Sequence, residues 1–157
     1  MLGQKLLKVA AMVSVLSCPA SALTLPLAGW TTTDAGAGAG GSTWTDSAQA
    51  CVLREDRLSQ PFPSLPDAGA AGRLAVKMQK ALLAQHFGEV VTQPVARGAG
   101  WAVLAAYTFA QDGVQYRAVQ LFLSDAGKLR TVTGSYADGE ASPCVNELHD
   151  FLRNTAK

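Results

Sequence analysis

An α+β fold, built on a mainly antiparallel sheet with two packed helices, is predicted by three features of the chain. Residues 101–110 place Trp101, Val103, Tyr107 and Phe109 on one face by twos, the period of a strand. Two tight-turn signals, Asp112-Gly113 and Asp125-Ala126-Gly127-Lys128, then divide residues 101–136 into three strand-length runs. Two further segments, around residues 73–87 and 142–152, space their apolar side chains three and four apart, as a helix with one buried face does. The predicted order is β-β-α-β-β-β-β-α, a largely antiparallel sheet with helices packed on it.

Each element has a local reason. Residues 28–34 favour a strand through Trp30 and three threonines, and the AGAGAGG run at 35–41 interrupts it with almost no side chain to pack. From 42 to 57, Trp44 and the alternation of Ala50 and Val52 with Cys51 and Leu53 predict the second strand of a strand–loop–strand unit. Pro61, Pro63 and Pro66 make residues 59–66 an extended connector. Asp67 stands where a helix cap belongs. The helix itself is predicted from Arg73 to Phe87, with Leu74, Met78 and Leu82 on its apolar side and Arg73, Lys77 and Lys80 opposite. Gly88 is expected to end it as a left-handed cap. A strand at 89–95 contains Pro94, which places it at an edge or a bulge. Strands at 101–110, 114–124 and 129–136 form the meander. Ser142-Pro143 opens the last helix as cap and first-position proline, and Val145, Leu148 and Leu152 line its apolar face with Phe151 beside them.

The N-terminus predicts export. Lys5 and Lys8 precede the apolar run Val9–Leu16, Pro19 breaks it, and Ala20-Ser21-Ala22 supplies a small-x-small cleavage pattern. This is the three-part order of a secretory signal peptide over residues 1–22, leaving one exported α+β domain at 23–157 in the periplasm or outside the cell. The apolar run is far short of the ~20 residues of a membrane-spanning helix, and no later segment reads as transmembrane. A second processing reading makes the protein a membrane-anchored lipoprotein. Val15-Leu16-Ser17-Cys18 resembles a lipobox in which Cys18 is lipidated, although Leu16 stands where a small residue is expected and Pro19 is an awkward follower.

Cleavage after Ala22 takes 22 of 157 residues and leaves 135, enough for one domain with its own core. It also removes two of 13 Lys+Arg, so 11 stand against 12 Asp+Glu, a net charge of −1. The remaining charges are scattered with no basic stripe, which disfavours nucleic acid and anionic membrane surfaces as partners. Cys51 and Cys144 remain as an even pair without redox-motif spacing, and in an oxidising compartment they predict one disulfide between a strand and the last helix.

Several segments together resemble the PsbP/DcrB-like group of small exported α/β proteins. They are the opening LPLAGW at 25–30, the hairpin around Gln111-Asp112-Gly113, the strand Ala118-Val119-Gln120-Leu121-Phe122, the run GKLRTVTGS at 127–135, and the terminal helix. The resemblance spans roughly residues 25–153. It implies an αβα-type sandwich and a non-enzymatic binding role, without naming a partner.

Motifs for chemistry are sparse. Gly36-x-Gly38-x-x-Gly41 matches a dinucleotide fingerprint in form, but the strand-like STWTDS follows it where a helix is required. His86-x-x-Glu89 straddles Gly88, and Glu147 and His149 point apart on a helix, so neither pair supplies the three or four convergent ligands of a metal site. His149 and Asp150 are adjacent, no GxSxG elbow accompanies them, and a hydrolase triad has no support. The expectation is therefore no catalytic residue, no metal and no cofactor. Trp30, Trp44, Trp101, Tyr107 and Tyr116 read either as core or as an interaction surface. The leading functional expectation is an exported, non-catalytic binding or accessory protein that recognises another envelope or extracellular protein. A carrier holding a small apolar ligand between sheet and helix comes second, and a small hydrolase third.

Overall fold

The computed structural model describes residues 27–33 and 41–157. The signal-like segment, Cys18 and most of the glycine-rich run lie outside the described residues. The elements are β1 (Thr31–Thr33), β2 (Gly41–Thr45), β3 (Cys51–Pro61), α1 (Ala68–Ala84), β4 (Gly88–Arg97), β5 (Gly100–Gln111), β6 (Val114–Asp125), β7 (Lys128–Ala137) and α2 (Pro143–Thr155). The strands form one antiparallel sheet in the order β1-β2-β3-β7-β6-β5-β4. The fold class is thus the α+β, mainly antiparallel arrangement expected.

The two helices cover opposite faces and different halves of the sheet. Helix α1 packs on β4 and β5, and α2 packs on β3 and β7. On β5 the side chains divide between them by strand alternation. Val103 and Ala105 join clusters under α1 with Leu65, Ala71, Ala75 and Leu82. Ala102 joins Leu53, Leu121, Val132, Leu148 and Phe151 in the core under α2. Gly134 of β7 is part of that seat: a Cβ built there would press into the Leu148 side chain, 2.6 Å from its Cγ.

Four local expectations are corrected. The predicted strand 42–57 is two strands, because Asp46 turns the chain: its carboxylate accepts hydrogen bonds from the Ala48 and Cys51 backbone N–H groups at 3.2 and 2.8 Å. Asp67 caps α1 as expected, accepting from Ala70 N at 2.7 Å, but the helix starts at once rather than at Arg73. His86, with φ +66°, takes the left-handed conformation after α1 in place of Gly88, which opens β4 against Thr108. Ser142 stands at the α2 cap position without a capping hydrogen bond, its hydroxyl instead lying 3.2 Å from Cys144 Sγ. Both predicted two-residue turns hold: Asp112-Gly113 and Ala126-Gly127 all have positive φ, as the hairpin geometry demands. Pro94 lies on the edge strand β4.

Candidate functional site

Because each helix covers only half a face, two half-faces of the sheet lie outside the helix contacts. They differ in chemistry. Beside α1, over β2, β3 and β7, the register groups Thr43 with Arg54 and Thr133, and Asp56 with Thr131. Apart from Val52 and Leu58 of β3 this surface is polar, and Arg54 Nε bonds Asp56 at 2.8 Å. Beside α2, over β4 and β5, strand alternation points Val91, Gln93 and Val95 outward, opposite Ala106, Leu104 and Ala102. Val91 is 61% exposed.

That second half-face forms the floor of a groove of about 500 Å³ whose wall is the C-terminal half of α2. Val95, Leu104, Val119, Leu152 and Ala156 supply its apolar lining, and His149, Arg153 and Lys157 stand among the lining residues without any Asp or Glu. The His149 ring shares a 3.0 Å hydrogen bond with the Tyr136 hydroxyl, which fixes the imidazole against β7. Burial pushes the Tyr136 hydroxyl pKa up, with Arg117 opposing and Asp138 adding to the shift. Arg153 is paired with Asp150 at 3.1 Å on the outer side of the helix. The disulfide Cys51–Cys144 joins the start of β3 to the first turn of α2, so the groove wall is covalently tied to the sheet.

The five aromatic residues read either as core or as an interaction surface do not gather on one surface. Trp44 and Tyr107 are buried in the core, one of the two readings their sequence left open. Tyr107 packs on Phe87 with ring centroids 4.7 Å apart and donates its hydroxyl proton to Gln120 Oε1 at 3.0 Å. Tyr116 is half-buried and stacks on Phe109 at 5.4 Å. Trp30 is half-buried against the α2 core and donates its indole N–H to Glu147 Oε2 at 2.9 Å. Trp101 is half-buried near Leu65 on the α1 side.

Residues considered for chemistry are occupied with structure. His86 is exposed, and Glu89 pairs with Arg117 at 2.9 Å. Asp150 is engaged by Arg153 rather than by His149. Gly41, the last glycine of the fingerprint-like run, opens a strand, whereas nucleotide phosphate binding requires a helix N-terminus there. Asp46, Cys51 and Cys144 converge within 4.8 Å, but both sulfurs are consumed in the disulfide and Asp46 receives two backbone N–H groups. Of the groove residues, the sequence singled out His149, as a metal or triad candidate, and Leu152, on the apolar face of the last helix, but pointed to no groove. The signal available for them was the second face of β5, where Ala102, Leu104 and Ala106 are apolar opposite Trp101, Val103 and Ala105, a pattern that calls for covering on both sides.

Comparison with protein-family models and with curated proteins matches nothing to this chain.

Proposed function

We propose that the protein is an exported, non-catalytic binding protein that holds an apolar group in the groove between α2 and the β4–β5 half of the sheet. The contrast between the two half-faces outside the helix contacts carries this reading. The polar one needs no cover, while the apolar one is a concave surface that loses free energy to water until something occupies it. Its size and its aliphatic lining with a few charged groups suit a small ligand. Export is supported by the signal-like order of residues 1–22 and by the disulfide, with no helix among the described residues long and apolar enough to cross a membrane. The likeness to the PsbP/DcrB-like group, carried by the hairpin and strand patterns named above, points to the same non-enzymatic role.

Recognition of an envelope protein is the second reading. It rests on Val76 and Leu83, both more than half exposed on the outer side of α1, since Trp44 and Tyr107 are withdrawn into the core. The two readings part on one titration. The mature protein is mixed with the neutral apolar probe N-phenyl-1-naphthylamine, alongside Val95→Trp, which puts an indole on the groove-facing side of β4. A saturable fluorescence rise that the variant abolishes without changing its thermal melt supports the groove reading. No saturable rise overturns it.

A further inference from the structure

A second cavity, of about 610 Å³, lies at the end of the sheet next to the groove. Arg97, the last residue of β4, and Lys157 line it, together with Trp101 and no Asp or Glu side chain. Lys157 also lines the groove, so one residue borders both cavities. Val95 and Arg97 are two apart on β4, so both side chains leave the same face of the strand, and Arg97 stands at the end of the row that begins with Val91 and Val95.

Among the described residues, none forms an ion pair with Arg97. Its Nε is buried and without a hydrogen-bond partner among the described residues. A guanidinium N–H removed from water and left unmet is costly. Its planar fork of donors matches the paired oxygens of a carboxylate or phosphate. Beside it runs an aliphatic trough. The arrangement sets a charged end beside an apolar length.

We propose that the occupant is an amphipathic oxyacid, an alkyl chain ending in a carboxylate or phosphate, whose chain lies in the groove and whose acid group is held by Arg97 with Lys157. The inference rests on the groove reading and adds the identity of the ligand's head. The chain contributes affinity by leaving water, and the head contributes selectivity, because a neutral molecule of the same length leaves the Arg97 donor unmet.

The test is calorimetric titration of the full mature chain with decanoate, decyl phosphate and 1-decanol, each below its aggregation concentration. Wild-type protein is expected to bind at least one of the acids about tenfold or more tightly than the alcohol, and the tighter acid identifies the head group. Arg97→Gln is expected to bring acid and alcohol within about threefold of each other by weakening the acid. Arg54→Gln, which removes the same charge from the opposite face, is expected to keep the preference. Should Arg97→Gln fail to fold by circular dichroism, Arg97→Lys keeps the charge without the fork and should lower the preference at least threefold. Alcohol binding as tight as both acids overturns the head-group inference and leaves the groove reading standing. No binding of any of the three overturns both. An acid preference that survives the Arg97 substitutions overturns the assignment to Arg97.

Discussion

Reducing the Cys51–Cys144 bridge is expected to remove a large part of this domain's stability. The two cysteines are 93 residues apart, and both are buried. On the chain-entropy relation, closing a loop of that length in the unfolded chain corresponds to about 4.6 kcal/mol, an upper figure because real denatured chains keep some structure. A domain of this size is stable by about 5–15 kcal/mol in all, so the reduced protein should be left with about 0–10 kcal/mol and be marginal only near the bottom of that range. The assay is urea unfolding followed by tryptophan fluorescence, with and without a phosphine reductant equilibrated through the unfolded state. At about 2 kcal/mol per molar urea, the midpoint should fall by roughly 2 M, and the slope should rise because the reduced unfolded chain is more expanded. A midpoint shift below about 0.3 M would refute the reasoning. It would mean that β3 and α2 hold their places through packing alone, and that the bridge does not restrict the unfolded chain as a loop closure must.

Three other perturbations test the packing around the same frame. Gly134→Ala should cost about 1–3 kcal/mol by pressing its methyl into Leu148; combined with Leu148→Ala, the loss should be smaller than the sum of the two single changes in denaturant unfolding. Glu55 is buried and accepts from Arg130 Nε at 2.6 Å and Arg57 Nε at 3.2 Å. Glu55→Gln removes the charge that both guanidinium groups face and should cost about 2 kcal/mol, with no loss if the pairings are solvent-screened. Burial raises the Tyr107 hydroxyl pKa. Its folded value therefore lies above the unfolded value of about 10. The associated stability is complete below that pH and is lost as pH rises through the folded value. Tyr107→Phe should flatten the alkaline decline in unfolding midpoint above about pH 10, and an unchanged decline would assign it elsewhere.

The β5–β6–β7 meander was legible because its turns carry their own chemistry. Asp112-Gly113 and Ala126-Gly127 must adopt positive φ, and residues that tolerate it mark the positions in the sequence. The edge position of β4 followed from one proline, and the disulfide from an even cysteine pair. Helix α1 was read five residues too short because its first turns, Ala68-Gly69-Ala70-Ala71-Gly72, contain nothing large enough to show a period. The break between β2 and β3 was hidden for the opposite reason. The run looked strand-like throughout, and only the side chain of Asp46, bonding backbone two and five residues ahead, turns it.

The groove could not be seen in the same way. Its lining comes from β4, β5, β6 and α2, and it exists because two helices of modest length each cover half of a seven-stranded sheet. Local pattern records which side chains are apolar, but not which of them a helix will fail to reach. Arg97 was likewise silent in the sequence, one arginine before a Gly-Ala-Gly turn. Its meaning comes from the cavity it lines and from the partner it lacks.

The most direct test of the account is native mass spectrometry of the mature protein isolated gently from its own cells. The account predicts the mature chain carrying a small bound mass that organic extraction releases as an acid with an aliphatic chain, and that Val95→Trp protein does not carry. A bare chain from those cells, identical for the wild type and the variant, would contradict it.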